Sequence, residues 1–200
     1  MTPRGWFIVF EGVDGSGKST QIELLSMKLR DQGVDHVLER EPSGGSIGRF
    51  IREYAEAGDR YLSPESEALL FTADRFEHSK RIEQTLAEGT IVVCDRYYHS
   101  TLAYQGAAGV DVAWLRDLQK FALKPDLVIL LDVDPERSLM RVSGRTLTVF
   151  ENRSYLSRVR ELYLGFAGAG EMRLVDTGRP VDEVEAEVQR LVEELTGIDL

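Results

Sequence analysis

The apolar positions of this chain fall into short runs separated by stretches with helical periodicity. Trp6-Phe7-Ile8-Val9-Phe10 is aromatic and β-branched and stops at a glycine-rich turn, as a strand buried on both faces of a parallel sheet does. Comparable strands are predicted at His36 to Arg40, Thr90 to Cys94 ending at Asp95, Leu127 to Leu131 behind Pro125, and Arg173 to Val175. Ile22, Leu25 and Leu29 recur at helical spacing from Lys18 to about Arg30, and Gly33 supplies the stop. A Pro/Gly loop from Pro42 to Gly45 precedes a helix near Ile47 to Ala57. Ser63-Pro64-Glu65-Ser66 is a capped helix opening, and that helix runs to about Glu88 before Gly89. Further helices are predicted around Asp111 to Ala122, from Asp134-Pro135-Glu136 onward, from about Phe150 to Phe166, and from Val181 to Leu195. Strands alternating with helices imply an α/β fold, a parallel five-stranded sheet with helices on both faces. In such sheets ligands bind beyond the carboxyl ends of the strands.

At that place Gly12-Val13-Asp14-Gly15-Ser16-Gly17-Lys18-Ser19 spells a complete G-x-x-x-x-G-K-[ST] phosphate loop, followed by Thr20. The glycines let backbone N–H groups turn toward a polyphosphate, the helix start adds partial positive charge, and Lys18 reaches the terminal phosphates. Ser19 offers a hydroxyl to magnesium. A chance glycine-rich turn is the bland alternative, but the strand before and the helix after favour a P-loop NTPase fold that binds ATP. The loop alone does not choose among kinases, GTPases, motor ATPases and partition ATPases. The absence of an Asn-Lys-x-Asp string argues against guanine recognition. Arg40, Arg75 and Arg96, all near predicted strand ends, suit a second anionic substrate.

Two hundred residues suit a single domain, 1–200. With 24 Lys+Arg against 34 Asp+Glu, the formal net charge of −10 repels nucleic acid and anionic membrane, so phosphate handling must rest on locally placed cations. The lone Cys94 excludes an intrachain disulfide and a cysteine-rich zinc site, and His36, His78 and His99 lack metal-ligand spacing. No stretch approaches the roughly 20 apolar residues of a membrane span, and no signal-peptide cleavage pattern is visible, so a cytoplasmic protein is expected.

Five segments, in order, resemble the thymidylate kinase family of nucleoside-monophosphate kinases across nearly the whole chain. They are Phe10 to Gln21, Arg40-Glu41-Pro42, Leu70-Phe71-Thr72-Ala73-Asp74-Arg75, Asp95-Arg96-Tyr97 and Ala103-Tyr104-Gln105-Gly106. The resemblance implies transfer of the γ-phosphoryl group of magnesium ATP to dTMP, giving dTDP and ADP for dTTP biosynthesis, by a homodimer. It also implies that Asp14 lies near the acceptor sugar and the metal, that Phe71 stacks on thymine, and that Arg75 contacts the base. Arg40 and Arg96 would hold the acceptor phosphate, Asp95 would join Ser19 at the magnesium, and Tyr97, Thr101, Tyr104 and Gln105 would line the sugar and base. The blander readings are a core aromatic for Phe71, surface ion pairs for Arg40 and Arg96, and a strand-end cap for Asp95.

The family's mobile lid would span about 141–151. Because the phosphate loop holds no arginine, Arg145 is the expected lid cation on the transferring group, with Arg141 nearby against adenine. Two departures from the family pattern stand out. Thr148-Val149-Phe150-Glu151 keeps only the glutamate of an Asp-Arg-x-Glu-like string, and Ser43 replaces a common glycine. Competing readings are a kinase for another nucleoside or nucleoside monophosphate, and a nucleotide-binding regulatory protein with a degenerate lid.

Overall fold

A computed structural model describes residues 4–57, 61–142 and 153–200. Strands β1 (Phe7–Glu11), β2 (His36–Arg40), β3 (Ile91–Asp95), β4 (Leu127–Asp132) and β5 (Arg173–Asp176) form one sheet in the order β2-β3-β1-β4-β5. Every pairing is parallel. The helices are α1 (Lys18–Asp31), α2 (Ser46–Glu56), α3 (Pro64–Ala87), α4 (Tyr98–Ala107), α5 (Val112–Leu118), α6 (Pro135–Val142), α7 (Arg153–Gly168) and α8 (Val181–Thr196).

The central strand shows why the sheet carries helices on both faces. Phe7 and Val9 point into a core shared with α3, α4 and α7, whereas Ile8 and Phe10 join α1 and α8 on the opposite face. All five residues of β1 are buried. At about 1.5–3 kcal/mol for each fully buried large apolar side chain, this two-sided burial anchors the strand that feeds the phosphate loop. Register then sets the site: Phe10 lies level with Asp95 of β3 and Ile129 of β4, so the loop after β1 emerges beside Asp95.

The helix map needs correction after β3. The sequence pattern assigns no element there, yet α4 forms, and the helix expected over Asp111 to Ala122 is only α5. Six of the ten α4 residues are buried, including His99, Thr101 and Gln105, so polar groups occupy core positions and no single apolar stripe advertises the helix. The lid residues 143–151, with Arg145, lie outside the described residues, as does the start of the helix expected from Phe150.

Candidate active site

The phosphate loop departs from β1 through glycines that other residues could not replace. Gly12 has φ +141°, and a β-carbon there would sit 2.5 Å from the Leu131 carbonyl oxygen. Gly17, at φ 96°, is the left-handed residue that opens α1. Lys18, the first residue of that helix, is buried and donates from Nζ to the Gly12 and Val13 carbonyls at 2.9 and 3.0 Å. Burial and the neighbouring Arg96 charge pull its pKa down to about 8, against the opposing pull of Asp95, Asp14 and Glu11. A lysine is charged below its pKa, so the free enzyme loses this charge as pH rises through 8. The expected result is a fall in kcat/KM for ATP across that range, with the corresponding limb of kcat displaced to higher pH once phosphates hold the ammonium. A kcat/KM for ATP that stays flat from about pH 7 to about pH 9 contradicts this assignment.

Two buried oxygens at the loop lack a partner among the described residues: Ser16 Oγ and Asp95 Oδ1. Asp95 ends β3 close enough to Lys18 to raise its pKa, and Ser19 stands exposed in the first turn of α1. An unpaired carboxylate oxygen near a helix-start hydroxyl fits magnesium, which takes few protein ligands and completes its shell with phosphate and water. Consistent with so sparse a donor set, no group of three or more His, Cys, Asp or Glu suited to a metal occurs among the described residues.

Beside the loop opens a cavity of about 180 Å³. α3 contributes Phe71 and Arg75, α4 contributes Ser100, Thr101, Tyr104 and Gln105, and α2 contributes Ile51 and Arg52. Arg96 and Tyr97 close it from the end of β3. Arg96 has φ 69°, an uncommon conformation for a residue with a side chain, and it aims the guanidinium back toward the phosphate loop. Its Nη2 donates to Asp14 Oδ1 at 2.7 Å and to the Tyr104 hydroxyl at 3.3 Å, and its Nη1 donates to Ser100 Oγ at 3.1 Å. The guanidinium also lies over the Tyr104 ring, 5.1 Å from its centre.

Arg75 is 1% exposed and held from three sides. Nε and Nη2 donate to Glu41 Oε2, Nη2 also to Thr101 Oγ1 at 3.2 Å, and Nη1 to Gln119 Oε1 at 2.8 Å. Phe71 is half-buried one turn earlier on the same helix face, open to the cavity. Gln105 donates to Glu67, and Tyr97 is wholly buried with its hydroxyl on Ser79, which makes Tyr97 a wall of the cavity.

Of the residues expected to hold a second substrate, Phe71, Arg75, Arg96, Tyr97, Thr101, Tyr104 and Gln105 share this one cavity. Asp14 is tied to it through Arg96. Arg40 stands apart: the last residue of β2, it is exposed and outside the lining. The cation that faces the cavity from that side is Arg52, pinned to the Pro42 and Ser43 carbonyls at 2.6 and 2.8 Å. Arg141 spans from α6 to the Gly15 carbonyl at 3.3 Å and the Thr177 carbonyl at 3.0 Å, bracketing the loop on the side away from the cavity.

Besides Arg52, sequence reasoning missed two carboxylates. Glu11, wholly buried at the end of β1, accepts from the Tyr97 and Ser100 amides, from Ser100 Oγ and from the Tyr163 hydroxyl. Burial raises its pKa against those donors and Arg96. Glu41 carries Arg75. A carboxylate closing an otherwise apolar strand was the available signal for Glu11.

The family model for thymidylate kinase matches residues 10–188. The chain belongs to the thymidylate kinase family. A probable thymidylate kinase of Pyrococcus horikoshii is 44% identical over 204 residues, covering 98% of this chain and 100% of the relative. A probable thymidylate kinase of Pyrobaculum calidifontis is 45% identical, covering 94% and 95%. A thymidylate kinase of Thermomicrobium roseum is 46% identical, covering 95% of each. Against the family pattern, Ser43 in place of glycine is accommodated by Asp74, whose two carboxylate oxygens accept from the Ser43 amide and hydroxyl at 2.6 and 2.7 Å.

Proposed function

We propose that this thymidylate kinase family member transfers the γ-phosphoryl group of ATP to dTMP, releasing dTDP and ADP. The observation that carries the reading is Arg96. It belongs to the acceptor cavity and donates to Asp14 of the phosphate loop, so one guanidinium stands at the seam between two phosphate sites. Phosphoryl transfer needs little covalent work from the protein, which has to align donor and acceptor, exclude water and compensate charge. Lys18 and the loop amides hold the ATP phosphates, with Gly12 to Thr20 wrapping them and Arg141 beside the adenine. Arg96 and Arg52 grip the acceptor phosphate, Asp14 receives the sugar hydroxyl, and Tyr104 packs beside the deoxyribose. Ser19 and Asp95 would hold magnesium, whose charge offsets the polyphosphate and fixes its orientation. Arg145 remains the candidate lid cation.

Base choice follows from Arg75. A guanidinium has five N–H donors, and four of Arg75's are committed to Glu41, Thr101 and Gln119. The remaining donor, on Nη1, suits thymine over cytosine if it meets position 4 of the base, where thymine has a carbonyl oxygen and cytosine an amino group. A homodimer is proposed through α3, where Leu69 and Phe76 are exposed and Phe76 packs edge-on against Phe121. No helix among the described residues is long and apolar enough to cross a membrane, and a cytoplasmic location fits a consumer of ATP.

Phe71→Ala tests the acceptor assignment. Loss of a base stack of about 1–3 kcal/mol raises the dTMP KM by roughly five- to 150-fold and leaves the ATP KM near wild type. Equal rises in both constants make Phe71 a core residue instead.

A further inference from the structure

His78 is wholly buried on α3, one turn beyond Arg75, and both of its ring nitrogens meet carboxylates. Nδ1 lies 3.1 Å from Glu41 Oε1, and Nε2 lies 3.0 Å from Glu39 Oε2. A neutral imidazole has one N–H, so one of these contacts would set a lone pair against a carboxylate oxygen; only the imidazolium satisfies both. The other Glu41 oxygen, Oε2, is the one that receives Arg75. The result is a chain of alternating charge, Glu39, His78, Glu41 and Arg75, ending at the acceptor cavity.

We infer that His78, held as an imidazolium between Glu39 and Glu41, is a positioning residue for acceptor recognition: it orients the Glu41 carboxylate that in turn aims Arg75 at the base. The inference rests on the proposed dTMP reading and assigns a role to a residue that does not itself line the cavity. Without the His78 proton on Nδ1, Glu41 Oε1 loses its donor and the carboxylate is held through Oε2 by Arg75 itself, so Glu41 orients the guanidinium less firmly.

The surroundings favour the charged ring. Burial opposes the charge, but the hydrogen bonds and charges of Glu39 and Glu41 outweigh it and lift the pKa to about 9. The same contact lowers the pKa of Glu39, aided by Arg81 one turn further along α3. From β3 and the residues that follow it, Cys94 and Tyr97 are neutral here, because burial raises both above their ordinary values. His99 supplies an internal contrast: buried without such acceptors on both sides, it is pushed down to about 4.

Two measurements on the full-length enzyme test this. Long-range proton–nitrogen NMR at about pH 8 reads the protonation of the His78 ring, and the expected spectrum has an imidazolium that disappears in His78→Gln. Steady-state kinetics at about pH 7.5 then show the dTMP KM of His78→Gln raised by about tenfold, with kcat and the ATP KM within about twofold of wild type. Should His78→Gln fail to fold, Glu39→Gln removes the negative charge that faces Nε2 at the half-exposed end. It is expected to lower the titration midpoint of the His78 ring by more than one pH unit. A wild-type His78 ring that is neutral at pH 8, or an unaltered dTMP KM in folded His78→Gln, overturns the inference. Wild-type enzyme without dTMP turnover overturns the proposed function instead, and leaves the NMR result to stand by itself.

Discussion

Lys18→Ala abolishes phosphoryl transfer, by about three orders of magnitude or more, and leaves the circular dichroism spectrum unchanged. The size of the effect follows from where the ammonium sits. It is buried at the start of α1 and bridges the Gly12 and Val13 carbonyls, across the space that the loop amides enclose. In a site with little water, a positive charge at the developing negative charge of the transferring group is worth far more than it is at the surface. The fold survives because β1 and α1 are anchored by their apolar residues, Ile8, Phe10, Ile22, Leu25 and Leu29. Turnover at the wild-type rate in a folded Lys18→Ala protein contradicts the phosphate-loop assignment.

Arg96→Ala is expected to lower kcat/KM for dTMP by about 100- to 1,000-fold while changing the ATP KM by no more than about threefold. Arg96 lines the acceptor cavity and also bonds to Asp14 of the phosphate loop. Its removal loosens the acceptor phosphate and takes one hydrogen bond each from Asp14 and Tyr104. Arg96→Lys keeps a charge but not the planar fork that reaches Asp14, Ser100 and Tyr104 together, so it recovers less than about a tenth of the loss. A dTMP kcat/KM near wild type in Arg96→Ala removes Arg96 from the acceptor site.

The parts of this molecule legible in the sequence are those whose cause is local. Phe7 to Phe10 and Leu127 to Leu131 read as strands because burial on both faces leaves no polar positions, and the loop reads as a phosphate site because its glycines and Lys18 are contiguous. Phe71 and Arg75 needed the family resemblance as well, since helical spacing alone describes a core residue beside a surface charge. What escaped depends on distant partners. Glu11 gains its meaning from groups 86, 89 and 152 residues away, and Glu41 from Arg75 and His78, 34 and 37 residues away. Nothing in the sequence separates Arg52 from Arg49 on the same helix; the Pro42 and Ser43 carbonyls, ten and nine residues away, hold Arg52 at the cavity. Arg40 misled for the converse reason: its place in an Arg-Glu-Pro segment marked the right neighbourhood, but the side chain that enters the network is Glu41.

The most direct test of the account is acceptor-dependent ADP release from magnesium ATP by the purified protein, measured with dTMP, dUMP, dCMP, UMP and free thymidine. The proposed acceptor site places a monophosphate at Arg96 and Arg52, the 4-carbonyl of the base at the last Arg75 donor, and a deoxyribose beside Tyr104. It predicts the highest kcat/KM for dTMP, a lower value for dUMP, and at least about 100-fold lower values for dCMP, UMP and thymidine. ADP release that is independent of acceptor, or that prefers thymidine or dCMP to dTMP, contradicts it.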